Sequence, residues 1–187
     1  FNINYLPLFY TEDIAELIHV RNVLQYDLLF IASFTRERYE FLQTLQDKLD
    51  KSDLLLDFHL YIPWTTYLKN KYFGDFPIDK SLVSFKKISR SEYLNRLNNT
   101  KSVVDFTHSQ QTGLTMRIIE ALACVKKVYT NNLFLISEPS IPQEMFHYFD
   151  KNMDIILSKD ADEVLVHSSQ LKLSQWLRII LNYEIID

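Results

Sequence analysis

The stretch that decides the fold is Ser102-Val-Val-Asp-Phe-Thr-His-Ser-Gln-Gln-Thr-Gly-Leu-Thr-Met-Arg-Ile-Ile-Glu-Ala-Leu-Ala-Cys124. It opens on an apolar run typical of a buried strand, crosses a polar turn holding one of only two glycines in the chain, and closes on an amphipathic run typical of a helix. Such a junction presents free backbone N–H groups at the helix N-terminus, which suits an anion. We take Thr112 as the N-cap, with Glu120 eight residues further on, about two turns into the helix.

Strand and helix patterns alternate along the rest of the chain, which predicts an α/β protein. We expect a Rossmann-like, three-layer αβα fold with a mostly parallel sheet of about six strands. The predicted strands are Tyr26–Ser33, Leu54–Ile62, Val83–Ile88, Ser102–Thr107, Lys127–Thr130 and Asp154–Leu157. The predicted helices are Thr11–Val20, Thr35–Lys51, Thr65–Tyr72, a helix capped by Ser89 that runs to Leu97, Thr112–Cys124 and Lys172–Ile185. The uninterrupted apolar character of Tyr26–Ser33 and Ser102–Thr107 places these two strands at the centre of the sheet.

Length and composition indicate one globular domain over residues 1–187, which are 47% hydrophobic and 14% aromatic. A net charge of −4 disfavours a nucleic-acid partner. The lone Cys124 excludes an internal disulfide framework and fits a reducing compartment. No apolar run reaches the ~18 residues of a membrane span. Because the chain begins at Phe1, we expect it to be the C-terminal part of a longer protein.

Four residues at the start of the predicted helix 112–124 have both a functional and an ordinary interpretation. Glu120 would meet a ribose hydroxyl, or it is an exposed polar residue. Gly113 would allow close approach of a ligand, or it relieves a tight turn. Thr112 and Thr115 would contact phosphate, or they are common residues at a helix start.

The basic side chains around this turn have the same two interpretations. Arg117 would clamp a diphosphate, since guanidinium matches phosphate oxygens, or it forms a salt bridge on a solvated face. His108 would contact sugar or phosphate, or it is structural. Arg36 and Arg38 follow a predicted strand and would reach phosphates, or they begin a solvated helix. Asp105 is interpreted as structural.

The sequence lacks the motifs of several common cofactor, nucleotide and metal sites. There is no Gly-x-Gly-x-x-Gly fingerprint and no Walker motif, which disfavours NAD, FAD or a P-loop nucleotide. The histidines are scattered and the carboxylates lack ligand spacing, so we expect no metal. Cys124 at an apolar helix end is interpreted as packing.

The segment from Asp105 onward resembles the C-terminal domain of GT-B glycosyltransferases of bacterial capsule, exopolysaccharide and lipopolysaccharide synthesis. The resemblance is carried by Asp105, His108, Gln111, Thr112, Gly113, Leu114, Thr115, Met116, Arg117, Glu120, Ala121, Leu122, Lys126, Lys127, Thr130, Asn131 and Asn132. Leu6–Tyr10 and Tyr26–Ser33 are similar to these proteins more loosely.

The resemblance implies one half of a GT-B fold that binds a nucleotide-diphosphate sugar as substrate, with no cofactor and no metal. Glu120 matches a glutamate that contacts the ribose, and the loop before it, with His108, Gln111, Thr112 and Gly113, meets the diphosphate. An N-terminal domain would hold a saccharide or lipid-linked acceptor, so the isolated domain is expected to be inactive. The implied compartment is the cytoplasm, at the inner face of the membrane, with peripheral membrane association of the full-length protein.

Two positions depart from the family pattern. Many retaining relatives carry a second glutamate where Thr112 stands here, near the donor sugar. A glycine common after Ala-Cys in those relatives is replaced by Val125. These departures keep open a non-catalytic α/β domain for protein or saccharide interaction. A phosphorylation-receiver-like domain is a weaker alternative, since the paired N-terminal acids of a phosphoacceptor pocket are missing. The nucleotide base, sugar, acceptor and stereochemical outcome stay open.

Overall fold

The computed structural model of the protein describes residues 9–17, 24–108, 113–139, 141–149, 172–174 and 177. Five strands lie in this part of the chain: β1 Tyr26–Ser33, β2 Leu56–Tyr61, β3 Thr100–Asp105, β4 Lys127–Thr130 and β5 Phe146–Tyr148. The α-helices are α1 Glu12–Leu17, α2 Arg36–Leu49, α3 Trp64–Phe73, α4 Arg90–Asn98 and α5 Met116–Ala123. Short 3₁₀ helices span Lys80–Leu82, Leu133–Ser137 and Gln143–Met145.

The strands form one parallel sheet in the order β2-β1-β3-β4-β5, which confirms the predicted α/β Rossmann-like fold. β1 and β3 are interior strands, as their apolar character predicts. The sixth predicted strand, Asp154–Leu157, lies outside the described residues. The chain divides into two compact units, one made of residues 24–104 and one made of 1–23 with 105–187.

The unit 24–104 is built around β1, whose residues Leu28 to Ala32 are all buried. β1 pairs in parallel with β2, from Leu28 opposite Leu56 to Ser33 opposite Tyr61. On its other side β1 pairs with β3. The centre of the strand has partners on both edges and no exposed residue, which is why its sequence is a continuous apolar run there.

Two helices of this unit begin at the caps that the sequence predicts. The hydroxyl of Thr35 accepts a hydrogen bond from the N–H of Arg38 and caps α2. The hydroxyl of Ser89 accepts one from the N–H of Glu92 and caps α4. Each cap satisfies a backbone donor that a helix start otherwise leaves unpaired. Four apolar residues at helical spacing on α2 are buried: Tyr39, Leu42, Leu45 and Leu49.

The predicted strand Val83–Ile88 is wrong. Only Ser84 pairs with the sheet, through a single bridge to Tyr61, and a 3₁₀ helix ends just before it. The Ser84 hydroxyl lies 3.2 Å from the carbonyl of Lys86 and accepts the N–H of that residue at 3.3 Å. These local side-chain hydrogen bonds compete with the backbone hydrogen bonds of a strand pair, and the pairing ends after one residue.

The unit made of 1–23 and 105–187 contains α1, α5 and the parallel pair β4–β5. Val128 lies opposite Phe146 in that pair. The sequence predicts β4 correctly but shows no strand at β5, which has only three residues. The segment 131–142, for which the sequence predicts neither a strand nor a helix, holds the 3₁₀ helix Leu133–Ser137. Most of the predicted closing helix Lys172–Ile185 lies outside the described residues.

Candidate functional site

The candidate site lies within the unit 1–23 and 105–187, at the carboxyl end of β3 and the start of α5. Asp105, the last residue of β3, has no exposed surface. Its Oδ1 accepts hydrogen bonds from the Thr115 hydroxyl at 3.1 Å and from Nη1 of Arg117 at 2.7 Å. Its Oδ2 is buried and has no hydrogen-bond partner among the described residues. The carboxylate therefore ties strand to helix through one oxygen, and the interpretation of Asp105 as structural fits this geometry.

The N-cap of α5 is Thr115, and the predicted cap at Thr112 is wrong. The Thr115 hydroxyl accepts the N–H of Ile118 at 3.2 Å, and the helix begins at Met116. Threonine at position 115 can cap because its backbone is extended, with φ −94° and ψ 155°. The helix start therefore lies three residues later than the sequence suggests, and Glu120 is in its second turn. By helix geometry, the N–H groups of Met116 and Arg117 have no intrahelical acceptor.

Gly113 precedes this helix start and faces open space. Among the residues that the structure describes, a Cβ added there would meet no heavy atom within 4 Å, and the φ of Gly113 is not in the left-handed region. The turn therefore does not need a glycine for its φ, and the interpretation that Gly113 relieves a tight turn is wrong. Its carbonyl oxygen accepts a hydrogen bond from Nδ2 of Asn132 at 3.2 Å. The turn is thus held from the side while the Cα position stays accessible.

Two asparagines after β4 hold the segments around the site in place. The N–H of Thr107 donates to Oδ1 of Asn131 at 2.8 Å, and Nδ2 of Asn131 donates to the Thr107 carbonyl at 3.0 Å. Asn132 is 3% exposed and reaches Gly113. The sequence places both asparagines within the resemblance but predicts no contact for either. Their signal was the pair Asn131-Asn132 directly after a predicted strand, at the sheet edge where ligands bind.

Arg117 forms a salt bridge, but not on a solvated face. Its side chain is 23% exposed, and its partner Asp105 is fully buried. A cation in the first turn of a helix opposes the helix dipole, so the carboxylate beneath it offsets that cost. A guanidinium has five N–H donors in a fixed fork, and Asp105 holds it through Nη1. Asp105 thereby fixes the orientation of a cation beside the turn.

Glu120 is 6% exposed, so its interpretation as an exposed polar residue is wrong. It belongs to an unbroken buried run on α5: Ile118, Ile119, Glu120, Ala121, Leu122 and Ala123. A run without exposed positions shows that neighbouring elements surround this helix on several sides. A carboxylate held in such surroundings has a fixed position, which a specific contact requires.

The other residues that the sequence predicts for the site are exposed, lie outside the described residues or belong to the other unit. His108 is exposed after β3. Gln111 and Thr112 lie outside the described residues. In the other unit, Arg36 forms ion pairs with Glu40 and Asp75, and Nη1 of Arg38 donates to the Ser33 carbonyl at 3.2 Å.

The C-terminal end of α5 carries Val125, the second position at which the sequence departs from the resemblance. Val125 has φ 54°, in the left-handed region that a β-branched residue rarely adopts. The N–H of Val125 donates to the Leu122 carbonyl and that of Lys126 to the Ala121 carbonyl. This is a Schellman motif, whose left-handed position is normally glycine. Burial of the Lys126 side chain lowers the pKa of its ammonium group.

Within the described ranges, no group of three or more His, Cys, Asp or Glu side chains is arranged to hold a metal. In the same part of the chain, no helix is both long and apolar enough to cross a bilayer. Comparison with protein-family models finds no match, and comparison with curated proteins finds none either.

Proposed function

We propose that this chain is the donor-nucleotide-binding domain of a metal-independent, GT-B-like glycosyltransferase of bacterial surface polysaccharide synthesis. The observation that supports it most is the pairing of Arg117 with the buried Asp105 at a helix start, beside the open position of Gly113. This arrangement combines a fixed cation, helix N–H groups and a turn that a ligand can approach closely. Those are the features that a diphosphate needs.

The proposed reaction moves a glycosyl group from a nucleotide-diphosphate sugar to a hydroxyl of a saccharide or lipid-linked acceptor. The bond from the anomeric carbon to the diphosphate oxygen breaks, and a bond to the acceptor oxygen forms. The acceptor proton goes to a base outside this domain. The diphosphate leaves with additional negative charge, which the Arg117 guanidinium and the N–H groups at the start of α5 would stabilise. Asp105 is a positioning residue here, because it acts through Arg117.

Glu120 would accept hydrogen bonds from the ribose hydroxyls, which is the role that the resemblance implies. Its carboxylate is one turn beyond Arg117 on α5, and its surroundings hold it. A ribose would reach it only along the small part of the side chain that stays accessible. Thr115 is occupied as the helix cap, so its contribution to phosphate binding would be to set the helix start.

The acceptor and the catalytic base would belong to an N-terminal domain, and the isolated chain would bind nucleotide without turnover. The protein would work in the cytoplasm at the inner face of the membrane, as a peripherally associated enzyme. These parts of the proposal rest on the resemblance.

The test is calorimetric titration of the chain with UDP, GDP, CDP and ADP. We expect one of the four to bind, and Glu120→Gln to weaken that binding by about 1–3 kcal/mol, the scale of a lost charged hydrogen bond. Because Glu120 is buried, the same change should also lower the free energy of unfolding, by about 1–2 kcal/mol. Urea denaturation of the variant measures this second effect. An unchanged dissociation constant would remove Glu120 from the site.

A control variant tests the turn separately. Gly113→Val adds bulk into open space, so we expect the melting temperature to stay near that of the parent while nucleotide affinity falls at least about tenfold. Parent-like affinity in this variant would contradict the placement of the diphosphate at α5.

A second candidate function is a non-catalytic interaction domain. The 3₁₀ helix that follows Asn132 exposes three large apolar side chains, Leu133 at 54%, Phe134 at 60% and Ile136 at 57%. A group of exposed apolar side chains is typical of surfaces that bind proteins. If none of the four nucleotides binds, this second function is favoured over the first.

A further inference from the structure

A cavity of about 400 Å³ lies in the unit 24–104, between α3 and the loop 74–79 that follows it. Its volume falls within the roughly 300–1,000 Å³ that small-molecule sites occupy. Six of the residues that line it are Tyr67, Asn70, Lys71, Phe76, Pro77 and Ile78. Asn70 and Lys71 follow Tyr67 by three and four positions, so α3 presents these three side chains on one face. None of the residues assigned to the proposed nucleotide site belongs to this cavity.

The two aromatic walls of the cavity are held in place by other rings. Tyr67 is only 6% exposed, and its ring centroid lies 5.5 Å from that of Trp64 and 5.2 Å from that of Phe85. The Phe76 ring lies parallel to that of Phe34, with 6.5 Å between the centroids. Walls that are fixed in advance need no ordering when a ligand binds, which favours a specific site over a chance depression.

The loop 74–79 is attached to the first turns of α2. Oδ2 of Asp75 accepts a hydrogen bond from Nη1 of Arg36 at 3.0 Å, and the N–H of Asp79 donates to the Tyr39 hydroxyl at 2.8 Å. Asp75 also lines the cavity, and its ion pair with Arg36 offsets its charge. Because α2 follows β1, the loop lies at the carboxyl end of that strand, the edge at which α/β proteins bind ligands.

Three polar groups that line the cavity have no protein partner. In the part of the chain that the structure describes, the Tyr67 hydroxyl and the Lys71 ammonium form neither a hydrogen bond nor an ion pair, and Oδ1 of Asn70 accepts no hydrogen bond. Asn70 is held by its Nδ2, which donates to the Phe76 carbonyl at 2.9 Å. A tyrosine as buried as Tyr67 usually has a partner for its hydroxyl. These groups are therefore available to a ligand.

We propose that this cavity binds a small carboxylate whose remaining part is apolar, such as an aromatic acid. The Lys71 ammonium pairs with the carboxylate, and the Tyr67 hydroxyl donates a second hydrogen bond to it. Phe76, Pro77 and Ile78 provide apolar surface for the rest of the molecule. Lys71 is the one cation among the described lining residues, which matches a single negative charge better than the double charge of a phosphate monoester. The proposal does not depend on the nucleotide site.

The experiment is an NMR titration of the chain with four probes that share a phenyl ring: benzoate, benzyl alcohol, benzylamine and phenyl phosphate. We expect benzoate to bind about tenfold more tightly than benzyl alcohol, because only the carboxylate accepts charge-assisted hydrogen bonds. Benzylamine should not bind, since its ammonium group meets that of Lys71. Phenyl phosphate should bind no more tightly than benzoate.

Four variants test the residues. Lys71→Gln should reduce the affinity for benzoate to that for benzyl alcohol. The matched control is Lys69→Gln, which removes an exposed lysine of the same helix that does not line the cavity and should leave all affinities unchanged. Tyr67→Phe keeps the ring and should weaken benzoate binding about threefold to tenfold. Ile78→Trp fills the cavity and should abolish binding of every probe.

The proposal is overturned if benzoate does not bind at about 10 mM, or binds no better than benzyl alcohol. Equal losses in Lys71→Gln and Lys69→Gln, or parent-like binding in folded Ile78→Trp, would also overturn it. Tighter binding of phenyl phosphate than of benzoate would overturn the assignment to a carboxylate. Melting temperatures show which variants are folded, and the two lysine changes are at exposed positions where folding is least affected. Titration of Lys71→Gln with the four nucleoside diphosphates reports on the proposed function separately.

Discussion

The two regions that hold the glycines of the chain differ in what they require of that residue. At Gly74, which ends α3, an added Cβ would collide with the main-chain oxygen and the side chain of Asn70. At Gly113, before α5, an added Cβ would meet no described residue within 4 Å. Packing accounts for the first glycine, whereas no contact in the described part of the chain requires the second. Open space at a turn is what close approach of a ligand requires.

The ion pairs of the same two regions differ in how much of each side chain is exposed to water. Beside Gly74, Arg36 and Asp75 pair at 3.0 Å with 51% and 78% of their side chains exposed. Beside Gly113, Arg117 and Asp105 pair at 2.7 Å with 23% and 0% exposed. Water screens the first pair, whereas the second lies largely in the protein interior. Local packing therefore determines the Gly74 region, whereas the Gly113 region holds charged groups in fixed positions.

The largest expected effect is on the buried pair. Asp105→Ala should lower the free energy of unfolding by about 3–5 kcal/mol, because it leaves Arg117 without its carboxylate. Asp75→Ala, the matched change in the exposed pair, should cost about 0–1 kcal/mol. Urea denaturation of both variants measures the difference. Equal costs would remove the distinction between the two regions.

The next largest expected effect is the loss of stability when a glycine is replaced by alanine. Gly74→Ala should destabilise the chain by about 1–3 kcal/mol, because the main-chain oxygen of Asn70 must move to admit the Cβ. Gly113→Ala is the control and should change stability by less than about 0.5 kcal/mol. Thermal unfolding of the two variants side by side checks this. A large loss of stability at Gly113 would give that glycine the structural role that its open surroundings argue against.

The smallest expected effect is at Val125, which has a left-handed backbone conformation although it is not a glycine. Val125→Gly should raise the free energy of unfolding by about 1 kcal/mol, because glycine adopts φ 54° without the clash of a branched Cβ. Val125→Ala keeps a Cβ and should recover less of that energy. Chemical denaturation of both variants is the measurement. A glycine variant no more stable than the parent would show that the contacts of the valine side chain offset the strain.

The sequence predicted those elements whose signals are local. The apolar run of β1 and the caps Thr35 and Ser89 were read correctly, since a strand core and a cap depend on residues within a few positions. The strand Val83–Ile88 failed because pairing depends on a distant partner, and β5 was missed because three residues carry too little pattern. The prediction of Thr112 as the N-cap was wrong because the sequence offers two threonines near the helix start. Thr115 has the extended backbone that a cap needs.

By itself, the sequence determined the α/β alternation, the two interior strands and the turn at which a ligand site is expected. The tertiary structure alone decided that Asp105 lies beneath Arg117, that Glu120 is buried and that Gly113 is open. The physical reason is that burial and hydrogen bonding depend on residues brought together from distant parts of the chain. Asn132 reaches Gly113 across 19 positions, and no pattern within either segment encodes that contact.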